Sequence, residues 1–415
     1  MHNRDDYMNT LLGFKDKKVI KIVTGMRRCG KSTLLQLFAQ KLIAGGIPNG
    51  HIIQMNFESI QYDTIKTYVD LYNYVKVKIN PEGKSYIILD EVQMVISWEK
   101  AINSMLVDFD ADIYITGSNA YLLSSELATL LSGRYVEIKM LPLSFKEFLD
   151  FHAFEETVSI EEKFEKYLLY GGMPSTAEYN FQQQRINELL EGIYSTVVLK
   201  DVVARNNISD PALLHKIVLF LADNIGSITS PNRIGTFLTH EGNLEAGKGN
   251  CPASRTIENY ILALQNAFIF YGIRRYDIKG KQYLKTLGKN YIVDTGMRNM
   301  LLGYRDVDRG HILENVVYFE LCRRGYRVSI GKVGEREIDF IAEKPDDKRY
   351  YQVTESLLGE NVREREFAPL RDIRDNYEKI VLSMDKSFIQ SYEGIKQRNI
   401  IDFLLEKNGV QETIF

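Results

Sequence analysis

Apolar residues change their period several times along this chain. Between positions 19 and 140, short β-branched and aromatic runs recur at Val19–Thr24, Ile52–Phe57, Tyr86–Leu89, Ile113–Thr116 and Tyr135–Met140. Helical patterns separate them, among them Ser32–Leu42 and Ala120–Leu131. Such alternation predicts a parallel sheet covered by helices. From about 144 to 226 the strands vanish, and apolar residues recur at helical spacing, as at Ile186, Leu189, Leu190 and Ile193. Residues 227–250 are rich in Gly, Ser, Thr, Asn and Pro, punctuated by two apolar patches. A helix over Thr256–Asn266 and a hairpin-like run over Phe268–Lys285 follow. From Ile312 a small α/β pattern begins: a helix, strands at Arg327–Ile330, Ile338–Ala342 and Tyr350–Val353, then a helix and a strand at Lys379–Met384.

Length and composition narrow the class. The 415 residues correspond to about three domains at roughly 150 residues each. Hydrophobic residues at 45% and charged residues at 26% fit globular cores and argue against a largely disordered chain. A net charge of -3 argues against a basic nucleic-acid coat protein and leaves room for a local basic face. Cys29, Cys251 and Cys322 lie far apart without a C-x-x-C pair, so neither a zinc ribbon nor a disulfide framework is expected. The opening Met1–Asp6 is polar and acidic, unlike a signal peptide. The most apolar stretch, Ile261–Ile273, is interrupted by Gln265, Asn266 and Gly272, so no membrane span is expected. These features together predict a cytoplasmic protein in a reducing compartment.

The strongest chemical signal is a phosphate loop. Gly25, Met26, Arg27, Arg28, Cys29, Gly30, Lys31 and Ser32 match G-x-x-x-x-G-K-[ST] at every fixed position, after a β-branched run and before a helix. Glycines let the backbone wrap a phosphate, and the helix start adds its positive end. Lys31 is expected on the β- and γ-phosphates and Ser32 on Mg²⁺, with Thr33 completing the nucleotide-binding set. Cys29 reads as a space-filling residue, because phosphoryl transfer needs no covalent step there. The second half of such a site is an acidic pair at a strand end, supplied by Asp90 and Glu91. Asp90 is expected to hold Mg²⁺ through water and Glu91 to polarise the attacking water. The next strand ends Ile115-Thr-Gly-Ser-Asn119, where Asn119, or Ser118, is placed to orient that water or sense the γ-phosphate. The plainer reading of Gly-Ser-Asn is a turn.

These motifs, with Leu89-Asp-Glu-Val-Gln93, Trp98, Leu131-Ser-Gly-Arg134, Pro142-Leu-Ser-Phe-Lys-Glu-Phe148, Tyr170-Gly-Gly-Met-Pro174 and Val293-Asp-Thr-Gly296, resemble a family of prokaryotic AAA-type ATPases over nearly the whole chain. The resemblance implies an α/β P-loop NTPase core over 1–143 and a helical lid over 144–226. It also implies a winged-helix segment over 227–295 and a C-terminal domain similar to the PD-(D/E)xK nuclease fold over 296–415. ATP and Mg²⁺ are the implied cofactors. Arg134 matches the arginine finger of AAA-type proteins, which completes a neighbouring subunit's site, so a homo-oligomer is implied; the alternative for Arg134 is a surface salt bridge.

Other features leave partners open. From Cys251 to Lys285 there are six bases (Arg255, Arg274, Arg275, Lys279, Lys281, Lys285) and two acids, a local net of +4. Ser254–Tyr260 looks like a recognition helix and Tyr271–Tyr283 like a wing. These bases either grip duplex DNA phosphates or lie solvated on a winged helix that packs protein. In the last domain Glu314 (with Glu320 as alternative), Asp339 and Gln352 fall where the nuclease fold places its metal-binding acids. The active pattern wants acid-x-Lys, and this chain has Gln352 and Thr354, which argues against cleavage. The six histidines show no metal-ligand spacing. The reading is a Mg²⁺-dependent ATPase. Its rivals are an ATP-responsive DNA-binding regulator without turnover and an ATP-gated nuclease.

Overall fold

The structure is a computed structural model and describes residues 4–120, 131, 133–240, 252–386 and 391–406. It divides into two compact units, residues 1–142 with 266–268, and residues 143–265 with 269–415.

In the first unit five strands form one parallel sheet: β1 (Ile20–Thr24), β2 (Ile52–Asn56), β3 (Ser85–Asp90), β4 (Ala111–Gly117) and β5 (Tyr135–Lys139), in the order β2-β3-β4-β1-β5. A parallel sheet must be covered on both faces, and alternate strand residues supply both. On one face α1 (Asp5–Gly13) and α2 (Lys31–Ala44) bury Met8, Leu11, Leu34 and Phe38 with Val23, Ile88 and Tyr114. On the other α3 (Tyr68–Lys78) and α4 (Trp98–Asp108) bury Leu71, Val75, Ile102 and Met105 with Ile22, Leu89 and Ile115. A capping box between Thr67 and Asp70 starts α3. Because β1, β3 and β4 run parallel, their C-terminal ends share one edge, and that edge gathers the phosphate loop, the acidic pair and Thr116–Asn119. The helix expected over Ala120–Leu131 lies almost wholly outside the described residues.

The second unit opens with α5 (Phe145–Phe151), α6 (Ile160–Tyr170) and α7 (Gln183–Thr196), a π-helical run over Val197–Ala204, and α8 (Pro211–Asp223). Capping boxes of Ser144 with Glu147 and Ser159 with Glu162 start the first two helices. Two more helices follow, α9 (Pro231–His240) and α10 (Ser254–Asn266). The first apolar patch within residues 227–250 is helical: Ile234 and Leu238 on α9 are buried at helical spacing. Strands β6 (Phe270–Asp277) and β7 (Gln282–Ile292) precede α11 (Thr295–Leu302) and α12 (Arg309–Arg323). After them come β8 (Arg327–Val333), β9 (Arg336–Lys344), β10 (Asp347–Val353), α13 (Glu360–Arg371), β11 (Glu378–Ser383), β12 (Ser391–Tyr392), β13 (Ile395–Asn399) and α14 (Ile400–Leu405). The sheet has eight strands in the order β12-β13-β11-β10-β9-β8-β6-β7. The hairpin read as a wing over Tyr271–Tyr283 runs on to Ile292 and pairs in parallel with β8 through Arg275–Asp277. The segments expected on either side of residue 295 share one sheet.

Two glycine motifs meet in this unit. Asp294 caps α11, accepting from Met297 N at 2.9 Å, and its second oxygen accepts from Gly172 N at 2.7 Å. Gly171 has φ +75°, and a Cβ there would lie 2.3 Å from Asp294 Oδ1, so only glycine allows the approach. Asn299 extends the joint, donating to the carbonyls of Leu168 at 3.0 Å and Leu169 at 2.9 Å. No helix among the described residues is long and apolar enough to cross a membrane.

Candidate nucleotide site

The phosphate loop links β1 to α2. Gly25 has φ +145°, and a Cβ there would stand 2.1 Å from the Met140 carbonyl oxygen, so this turn excludes any side chain. Gly30, in the left-handed region, caps α2, and Lys31 is its first residue. The Lys31 ammonium is folded back on its own loop, donating to Gly25 O at 2.9 Å and Met26 O at 3.0 Å. Cys29 is fully buried with its Sγ 3.5 Å from Met140 O. Arg28 lies in the left-handed region, and Arg27 pairs with Glu58 at 2.6 Å. Behind the loop the buried Arg4 donates to Cys29 O at 3.2 Å, Leu141 O at 2.7 Å and Pro142 O at 3.2 Å. Arg4 fastens the chain start to the loop, and no motif flagged it.

The acidic pair closes over the loop's helix. Burial pushes the Asp90 carboxyl up against the opposing pull of Thr116 and Ser32. Thr116 donates to Asp90, and Asn56 Nδ2 donates to its other oxygen at 2.9 Å. Glu91 has φ +55°, an uncommon conformation for a non-glycine residue, and its N–H reaches Thr116 Oγ1 at 2.9 Å. The Glu91 carboxylate accepts from Ser118 on one oxygen and from Gln93 on the other. An ionised carboxylate offers about four lone-pair positions, so each oxygen keeps acceptor capacity beyond these bonds. Of the two candidates at the end of β4, Ser118 makes the contact with Glu91, and Asn119 is buried one residue further on. Hard oxygens of Ser32 and Asp90 side by side suit Mg²⁺.

Comparison with known proteins agrees with this geometry. A family model described as an AAA domain matches residues 17–149. An uncharacterized protein of Haemophilus influenzae is 41% identical over 98% of this chain and 99% of its own length. Another, of Methanocaldococcus jannaschii, is 30% identical over 89% of this chain and 83% of its own length. The chain belongs to one AAA-domain family with these two proteins. A domain of unknown function matches residues 161–308 of this family member, running across the segments expected as lid, winged helix and nuclease-like domain. In fold the chain is similar to the Walker-type ATPase PABY2304 of Pyrococcus abyssi, with TM-score 0.51 and 16% identity, over 72% of this chain and 96% of that one.

Other expected residues of this AAA-domain protein lie elsewhere. Arg134 is exposed, and its carbonyl accepts from Ile20 N at 2.8 Å, at the edge of the sheet opposite the phosphate loop. In the second unit Glu314 and Asp339 come together. Glu320 does not join them and instead pairs with Arg324 at 2.8 Å. Gln352 donates to Glu366 at 3.0 Å, and Thr354 Oγ1 lies 3.3 Å from Ser356 O. Burial, and then the Glu314 carboxylate, push the Asp339 carboxyl up, against the opposing pull of the Lys289 ammonium. Arg255, Arg274, Lys279 and Lys281 are exposed, and Arg275 is half-buried.

Proposed function

We propose that this chain binds ATP with Mg²⁺ and hydrolyses it at the edge formed by Lys31, Ser32, Asp90 and Glu91, using the turnover to drive conformational change in the second unit. The observation that carries this reading is the placement of Glu91: a carboxylate held in a left-handed turn by Ser118 and Gln93, beside the Ser32–Asp90 pair. Lys31 turns from the loop carbonyls to the β- and γ-phosphates. Glu91 orients a water and accepts its proton. Ser32 and Asp90 would hold Mg²⁺, Asp90 through water, and Mg²⁺ when bound offsets phosphate charge.

A second reading concerns duplex DNA. The helices α8, α9 and α10 are followed by the β6–β7 hairpin, and Thr229 N donates to Gly288 O at 2.9 Å, which supports a winged helix. Arg255 and Asn259 are exposed on α10 with Arg274, Lys279 and Lys281 on the hairpin, a face suited to phosphates. Arg275 counts less, because it is half-buried.

The test is ATP turnover with and without duplex DNA over a range of salt. Lys31→Ala should lose tight ATP binding. Glu91→Gln should keep ATP and lose turnover by about 10²–10⁴-fold. DNA affinity should fall with salt by a log–log slope of about 0.9 per phosphate contact. Wild-type turnover in Glu91→Gln would remove its assigned role, and ATP binding without any turnover in the native protein would favour the regulator.

A further inference from the structure

The carboxylates that the nuclease resemblance assigns to a metal ion surround a cation that the chain itself supplies. Lys289 on β7 is 4% exposed. Its ammonium lies 2.7 Å from Glu314 Oε1 on α12, 2.8 Å from Glu337 Oε1 and 3.7 Å from Asp339 Oδ1 on β9. It bridges the two acids expected to share a divalent ion. Tyr291, two residues along β7, donates its hydroxyl to the same Glu314 oxygen. The other oxygen of Asp339 accepts from Val353 N at 2.9 Å.

The topology explains how a residue so far from β9 in the sheet reaches it. β6 pairs with β8 only through Arg275–Asp277, so the earlier part of the hairpin is free of β8, and β7 carries Lys289 and Tyr291 over to Glu314.

Electrostatics makes the ammonium necessary. Three carboxylates gathered in a largely dry site repel one another and need a cation nearby. A nuclease of this type would use a divalent ion, and its catalytic lysine would stand two residues past Gln352, where this chain has Thr354. Lys289 does not replace that lysine in kind. It contacts Glu314 and Glu337 directly and fills the space between them, so a divalent ion at the same point would meet a fixed positive charge at close range.

We propose that Lys289 is a built-in counter-cation standing where the nuclease fold holds its divalent ion, so that this domain keeps the fold and takes up no metal. The proposal rests on the nuclease-like reading for the identity of the displaced ion, and it does not depend on ATP turnover. The tether also joins β7, α12 and β9 without requiring an ion from solution.

The test is a nucleotide-free Mn²⁺ titration of the full chain, followed by electron paramagnetic resonance of the free ion and by thermal melting. Wild type should leave Mn²⁺ free at this site, shown by a titration unchanged in Asp339→Asn. Lys289→Ala should gain a saturable Mn²⁺ site and melt higher when Mn²⁺ is added. Lys289→Ala with Asp339→Asn should lose both effects. If Lys289→Ala fails to fold, Lys289→Met keeps the length of the stem, and Mn²⁺ added during refolding should raise its folded yield. Wild-type Mn²⁺ uptake that disappears in Asp339→Asn would overturn the proposal, because the ammonium and the ion would then coexist. A folded Lys289→Ala that ignores Mn²⁺ would overturn it too, because the cluster would then be no site for a divalent ion.

Discussion

At the scale of single residues, Thr116 does more than its place in a Thr-Gly-Ser-Asn turn suggests. Its hydroxyl donates to Asp90 and accepts the Glu91 N–H at 2.9 Å, so one fully buried side chain on β4 positions both acids at the end of β3. Thr116→Val keeps the shape and removes both bonds. A buried carboxylate and a buried N–H are then each short of a partner, which should cost about 1–3 kcal/mol per group in urea unfolding. Turnover should fall more than ATP affinity, because the group released is Glu91, and Thr116→Ser should restore most of it. Wild-type turnover in Thr116→Val would show that Glu91 needs no such anchor. The sequence made Lys31, Ser32, Asp90 and Glu91 legible, because each belongs to a fixed motif next to a strand or helix end. Thr116 and Asn56 stayed hidden, because they act through neighbouring strands. Asn56 stands opposite Asp90 in the β2–β3 register, a relation that only the sheet order reveals. Lys289 was hidden for the same reason: it lies on β7 and meets Glu314 and Glu337 only through packing.

At the scale of elements, the joint between α6 and α11 rests on Asp294. The carboxylate accepts N–H bonds from Gly172, Met297 and Gly296, yet burial outweighs them and pushes the group up from 3.8 to about 6. A carboxyl raised in the fold favours its protonated form there. Its contribution to stability is therefore complete below about 3.8 and is lost as pH rises through about 6, after which it stays level. The size is about 3 kcal/mol. Unfolding of Asp294→Asn by urea between these pH values should lack that decline, whatever its absolute stability. An identical pH slope in the two proteins would show that other groups cause it. The glycine motifs around this joint were visible in the sequence, but their purpose was not, because Gly171 and Asp294 lie more than a hundred residues apart. The parallel core was legible because buried strands leave unbroken apolar runs. The sheet of the second unit was less so: short polar strands such as β12, with both residues exposed, carry little hydrophobic signal.

At the scale of the whole molecule, the position of Arg134 poses a question of assembly. β5 runs parallel to β1, and Arg134 precedes it, level with the start of β1, while the phosphate loop follows the end of β1. Five residues of strand separate the two edges by roughly 16 Å, at about 3.3 Å per residue. An exposed arginine at that edge has no short path to its own phosphate site, so a catalytic Arg134 has to act on a neighbouring copy. Cyclic or helical assemblies place one surface of each subunit against a different surface of the next, which is the geometry such a finger requires. A charge-stabilising arginine of this kind is worth about 10³–10⁵ in rate in related nucleotide hydrolases. Arg134→Ala should therefore lose most turnover while keeping its ATP affinity. Mixing it with Lys31→Ala should recover part of the activity, because a Lys31→Ala subunit still offers its arginine to an Arg134→Ala subunit that still binds ATP. Recovery should rise with total protein concentration and vanish on dilution below the assembly threshold, read by light scattering alongside phosphate release. A monomer with full turnover, or an Arg134→Ala protein as active as wild type, would leave Arg134 as a surface residue and place the whole catalytic set within one chain.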